Sequence, residues 1–184
     1  MILDARLADA WARLPDYLGN HVLVSLTALA IGLGVSLPVA IASRHRPFLR
    51  GALLTVASVV QTIPGLALLA LFYPLLLALA ALSEHVVGKT FSALGFLPSV
   101  LALALYSMLP VLRNTVTGLN GVDTRLSEAA RVVGVRPWRL LRDIELPLAL
   151  PVIMAGIRTS AVWVIGTATL ATPIGQTSLG NYIF

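Results

Sequence analysis

An all-α, polytopic membrane helix bundle is the fold class this sequence predicts, and three observations carry the prediction. Apolar residues make up 58% of the 184 positions and charged residues only 11%, against roughly a quarter charged in soluble domains. Mean hydropathy is +0.90. Hydrophobic runs long enough to cross about 30 Å of hydrocarbon recur along the chain. The arginines explain the net charge of +5 by sorting into particular loops, a pattern that points to membrane sidedness rather than to nucleic acid. The absence of cysteine excludes disulfides, thiolate metal sites and cysteine nucleophiles. No span holds a cluster of His, Asp and Glu or a serine with a plausible base, which argues against an enzyme and against a metal site.

Asp4, Arg6, Asp9, Arg13 and Asp16 interrupt the start, so the first apolar run is expected to be a retained span rather than a cleaved signal peptide. That span covers about residues 21–43. Ala28, Gly32, Ser36 and Ala40 place a small residue at every fourth position, a smooth ridge against which another helix can pack closely. Arg44, His45, Arg46 and Pro47 end it, and Arg50 follows. The second apolar run, from Gly51 to about Leu82, is too long for one straight span and too short for two, so a crossing at about 51–73 with a bent extension at the far interface is expected. Pro64 and Pro74 would supply the bends. Thr55, Ser58, Thr62 and Gly65 fall at helical spacing beside Gln61, which predicts a polar stripe that either bonds a neighbouring helix or lines a wet path.

Residues 83–97 read as a loop carrying Glu84, His85 and Lys89. Gly88-Lys89-Thr90 imitates the end of a phosphate-binding loop, but Ser83 stands where the first glycine belongs and no strand precedes it. A third span is expected at about 98–113, with Pro110 as a kink, and a fourth at about 147–171. In the fourth, Gly156, Ser160, Trp163 and Thr167 are predicted to share one face. Arg158 in the same span is expected to snorkel or to find a structural partner. The tail from Pro173 to Asn181 reads as a turn-rich loop. Nine basic residues lie in the two loops at 44–50 and 113–142, against three at the amino terminus and residue 89. The basic loops therefore belong in the cytoplasm, with the amino terminus outside.

The polar block at 114–146 is the segment with chemistry to offer. Asp123 or Thr124 can cap a short helix over about 125–133, which Gly134 ends, and Pro137 suits the first turn of a second short helix. Two short helices joined at a glycine make a knob, with Pro147 expected to separate it from the fourth span while still fitting the first turn of that helix. Glu128 offers a negative charge, and Ala129-Ala130 a flat surface, to a partner groove. Arg131, Arg136, Arg139 and Arg142 are available to the partner or to lipid phosphates. Composition alone would make this an amphipathic interfacial loop.

Spacing makes it more specific. Glu128, Ala129, Ala130, Gly134, Ile144, Leu146 and Pro147 fit Glu-Ala-Ala, three residues, Gly, nine residues, Ile-x-Leu-Pro at every position. This resembles the signature loop of the membrane-spanning subunits of ATP-binding-cassette (ABC) importers. The runs Gln61-Thr62-Ile63-Pro64, Leu109 to Thr115 and Glu145 to Thr159 are similar to the subgroup that imports glycine betaine, carnitine, choline and related osmoprotectants. The resemblance covers roughly residues 18–184. It implies the type I ABC importer permease fold, with four spans present and a fifth following the sequence that matches Leu179 to Phe184.

The resemblance further implies a transport subunit, not an enzyme. No cofactor is expected in this chain, since ATP-Mg would be bound by a partner ATPase. Glu128, Ala129, Ala130, Gly134, Ile144, Leu146 and Pro147 would form the coupling contact with a cytoplasmic ATPase dimer. A second permease subunit, identical or homologous, an extracytoplasmic substrate-binding protein and the lipid bilayer would be the other partners, in the cytoplasmic (inner) membrane of a bacterium. From periodicity, Thr55, Ser58, Gln61, Thr62, Ser160, Trp163 and Thr167 are the candidates for the substrate path. Trp163 or Tyr106 could face a quaternary amine, although both residue types also serve in packing. The alternatives are the same permease class importing another small solute, such as ergothioneine or an amino acid, and a passive channel or scaffold.

Overall fold

The computed structural model describes residues 2–184, with side chains from Leu7 onward. Among these residues it is helical, with helix α1 at Ile2–Ser43, α2 at Pro47–Thr62, α3 at Gly65–Val87, α4 at Phe96–Asn120, α5 at Thr124–Val132, the single turn α6 at Pro137–Arg139, and α7 at Leu146–Thr167. A π-helical turn at Leu140–Glu145 joins α6 to α7, and 3₁₀ turns follow at Ala168–Ile174 and Leu179–Tyr182. Four helical stretches, Leu7–Ser43, Gly65–Val87, Phe96–Asn120 and Pro137–Ile174, are long and apolar enough to cross a membrane.

Helix α4 is the centre of the bundle and packs against α1, α7, α2 and α3. Its contact with α1 uses the small-residue ridge: Ala28, Gly32, Ser36 and Ala40 are all buried. A Cβ on Gly32 would lie 1.7 Å from Ser107 Oγ and 3.1 Å from the Ala104 carbonyl oxygen. The ridge thus lets two backbones approach where lipid supplies no hydrophobic drive. Helix α7 closes on the other side in the same way, because a Cβ on Gly156 would meet Asn114 Cβ at 2.6 Å and the Pro110 oxygen at 2.8 Å.

Three differences from the sequence expectations have local causes. The apolar run is broken at Pro64, as expected, but the crossing expected at 51–73 is two helices, with α2 ending at Thr62 and α3 starting at Gly65, and Pro74 does not end α3. Pro64 has no N–H to continue α2, and Ile63 turns extended at φ −76°, ψ 125°. Beyond the break α3 runs through Pro74 to Val87, where Gly88 stops it at φ 69°. Gly88-Lys89-Thr90 therefore follows a helix and serves as its stop.

Pro147 lies in the first turn of α7, as expected, but does not separate the knob from it, because the helical rod is continuous through the π turn. Leu146 N–H bonds to the Leu141 carbonyl five residues back, and the wider π turn leaves room for the proline ring where an ordinary α turn would clash. Its missing donor falls at the point where the register returns to α.

The tail, expected as a loop, is two 3₁₀ turns folded against the bundle. Ser178 is fully buried, accepts a bond from Gly180 N–H at 3.0 Å and shares one with Thr172 Oγ1 at 2.8 Å.

Candidate functional site: the α5 knob and the α2–α4 break

The knob is built by chemistry local to the sequence. Asp123 caps α5 by accepting from Arg125 N–H at 2.9 Å, which satisfies one of the free donors at the helix start. At the other end Gly134 adopts φ 81°. This left-handed geometry lets Gly134 N–H reach the Arg131 carbonyl at 3.0 Å and Val135 N–H reach Ala130 at 2.9 Å. The chain then leaves α5 for Pro137, the first residue of α6.

Glu128, Ala129 and Gly134 face outward, whereas Ala130 is 8% exposed and turned toward the bundle. Ala129 alone therefore supplies the flat outer surface expected from the alanine pair. Val132 and Val133 are 87% and 78% exposed, an apolar patch at the carboxyl end of the helix. Arg131, Arg136, Arg139 and Arg142 are exposed around it. Ile144 and Leu146 are half-buried under the knob and Pro147 is exposed. The arrangement presents a short helix with one acid, small and aliphatic side chains and a basic border, which suits docking against a protein groove and offers no acid–base pair for chemistry.

A second locus lies halfway along α4. Pro110 cannot donate to the Tyr106 carbonyl, and the Gln61 amide fills that vacancy at 2.9 Å. In return Tyr106 Oη donates to the Ile63 carbonyl at the α2–α3 break. Two carbonyls at proline-disturbed sites are thereby satisfied by each other's helices, which joins the break in α2–α3 to the disturbed turn of α4. Gly65 sits beside this joint, where a Cβ would find Leu170 at 3.3 Å, Thr167 at 3.7 Å and Tyr106 Oη at 4.0 Å. One residue of each predicted stripe, Gly65 and Thr167, therefore comes to the same place.

The rest of the substrate-path candidates divide. Thr55 and Thr62 are exposed and Ser58 is half-buried. Ser58 and Thr62 bond their own helix carbonyls, at Leu54 and Val59. In α7 the expected common face is split. Gly156 and Ser160 are buried, with Ser160 Oγ donating to the Ser107 carbonyl at 2.6 Å, while Trp163 is 61% exposed. Close approach to α4 claims the small residues, and the 3.6-residue period then carries Trp163 to the rim of that contact. Arg158 is exposed and shares a shallow groove with Trp163. Thr167 bonds the Trp163 carbonyl at 2.7 Å.

Sequence reasoning missed the Gln61–Tyr106 exchange, for which Pro110 four residues after Tyr106 was the available signal. It also missed His21, which is buried, with Nε2 3.0 Å from the Ile165 carbonyl oxygen.

Comparison with known proteins agrees with this architecture. The glycine betaine/carnitine/choline transport system permease protein OpuCB of Bacillus subtilis (strain 168) is 42% identical over 166 residues, covering 90% of this chain and 69% of the relative. The carnitine transport permease protein OpuCB of Listeria monocytogenes is 41% identical over 165 residues, covering 90% and 68%. Among solved structures, an inward-facing MetNI methionine ABC transporter superposes with a TM-score of 0.76 at 20% identity, over 95% of this chain and 80% of that one. An amino acid ABC transporter superposes at 0.73 and 20% identity, over 97% and 79%. Both share the helical permease fold. Residues 30–184 match the family described as binding-protein-dependent transport system inner membrane component, and the chain belongs to that family of permease subunits.

Proposed function

We propose that this chain is the membrane-spanning subunit of an ATP-driven importer for quaternary-ammonium osmoprotectants such as glycine betaine, choline or carnitine, with α5 seated in a groove of a cytoplasmic ATPase. The observation that carries the docking role is α5 itself: a capped, glycine-terminated helix with Glu128 and Ala129 outward and only Ala130 buried. The solute class rests on the names of the relatives at 41–42% identity over nine-tenths of the chain.

In this reading two ATPases bind and hydrolyse ATP-Mg outside this chain, and their closure pushes on α5 in each of two permease subunits. An extracytoplasmic binding protein presents the solute at the face opposite α5. The basic loops lie in the cytoplasm and the amino terminus outside, in line with the arginine distribution. Alternating access then arises between the paired subunits.

The test is radiolabelled betaine uptake in cells carrying the partner ATPase and binding protein. The Glu128→Lys/Gly134→Val double variant is expected to reach the membrane in normal amount and to lose uptake at least tenfold. Undiminished uptake by that variant overturns the docking assignment. Competition by unlabelled choline, carnitine or an amino acid in the parent strain reports the solute class separately.

A further inference from the structure

The charged side chains of the cytoplasmic loops are mostly open to water, but Glu145 is not. Its side chain is 12% exposed, compared with 59% for Asp143 and 72% for Arg142 just before it. Glu145 occupies the unassigned position of the Ile144-x-Leu146-Pro147 run and is the last residue of the π turn that leads into α7. Its carboxylate stands between two other elements. Oε2 is 3.9 Å from Nε of Arg44, itself 19% exposed, at the cytoplasmic end of α1. Oε1 accepts from Ser127 Oγ at 3.5 Å, and Ser127 is the residue before Glu128 on α5.

The position matters because of how little else holds α5. The helix buries one side chain, Ala130, and is flanked by Gly121 and by Gly134 at φ 81°. Besides the two short connections, one to α4 and one to α6, α5 meets the bundle through its packing on the π turn at Leu140–Glu145. Helix α1 has no direct chain connection to the knob. The Glu145 carboxylate supplies the polar link that joins α5, α7 and α1: Arg44 donates its Nε–H to His45 Nε2 at 2.8 Å, so it holds Glu145 by charge attraction across 3.9 Å, less screened than between open surface charges.

We infer that Glu145 is a positioning residue for coupling: its carboxylate, held between Arg44 and Ser127, ties the ATPase-docking helix to the cytoplasmic ends of α1 and α7 so that they move together. This rests on the docking role proposed for α5. At 3.5 and 3.9 Å both contacts are longer than a tight hydrogen bond or ion pair.

The experiment uses the whole complex, this chain with its ATPase and binding protein, in proteoliposomes. Three quantities are read: co-purification of the ATPase, the ratio of ATP hydrolysis with solute-loaded binding protein to hydrolysis without it, and betaine uptake. Glu145→Gln and Arg44→Gln are each expected to retain the ATPase, while the stimulation ratio and uptake fall about tenfold. The reversed pair, Arg44→Glu with Glu145→Arg, is expected to recover at least a third of the lost uptake, which assigns the effect to the pair, while a lower stimulation ratio with the ATPase still bound separates coupling from a merely structural role.

Uptake and stimulation within twofold of the parent in Glu145→Gln overturn the inference. So does failure of the reversed pair to improve on the single variants, whether or not those assemble. Loss of stimulation in Glu145→Gln alongside full activity in the Glu128/Gly134 variant would instead overturn the docking reading, so the two failures are distinguishable.

Discussion

The inner face of α4 and the outer face of α5 are built on opposite terms. Along α4, Ser99 and Ser107 are fully buried with their hydroxyls donating to the Gly95 and Ala104 carbonyls, and the helices on either side approach through glycines that leave no room for a methyl group. On α5 one side chain is buried, and Val132 at its end and Val133 just past it stand almost fully exposed. Lipid tails are as apolar as leucine, so helices in a membrane gain little from burying leucine against each other and much from close backbone contact and satisfied polar groups. The α4 face is therefore where the bundle's stability resides. The α5 helix draws on local capping instead, which leaves its outer surface free for a partner.

The sharpest way to break that contrast is to enlarge Gly156. Its Cβ position is already occupied at 2.6 and 2.8 Å by Asn114 and the Pro110 carbonyl, and the carbonyl cannot turn aside as a side-chain tip can. Gly156→Leu is expected to cost more than the roughly 1–3 kcal/mol typical of overpacking and to abolish monodisperse protein on size exclusion in detergent. A normal elution profile would mean that α4 and α7 are not locked by this contact.

An intermediate effect is expected at the α2–α4 joint. Tyr106→Phe removes the bond to the Ile63 carbonyl and Gln61→Leu strands the Tyr106 carbonyl, each at about 1 kcal/mol. Thermal unfolding of the single variants and the double variant in one detergent gives their coupling. Additive losses would show that the two bonds are independent, whereas a unit loses less in the double than the sum.

The smallest effect on stability belongs to the knob. Val132→Ser with Val133→Ser is expected to shift unfolding by about 0.5 kcal/mol or less, because both side chains are exposed. The same variant is expected to weaken co-purification of the ATPase severalfold. Unchanged association would remove the apolar patch from the docking surface.

What was legible in the sequence follows from the range of the interactions involved. The Asp123 cap and the Gly134 stop act within four residues, and α5 runs from Thr124 to Val132 close to the expected 125–133. The ridge from Ala28 to Ala40 was legible because helical period alone puts these residues on one face. The same argument misled in α7, where Gly156, Ser160, Trp163 and Thr167 do line up but the neighbouring helix settles against the edge of that line and leaves Trp163 outside. Pro147 begins α7 as expected but misled as a separator for a related reason, since its effect depends on whether the preceding turn is α or π.

The sequence by itself determined that the chain is a set of apolar helices, that a short capped helix ends at Gly134, and which loops carry the arginines, because composition, period and capping act over one or two turns. Only the tertiary structure decided that α4 is the central helix, that Gln61 answers Tyr106 across 45 residues, and that Glu145 turns inward between Arg44 and Ser127. Those outcomes depend on which faces meet. Close packing admits a few arrangements of helices, and a polar atom at such a contact finds its partner only after the arrangement is made.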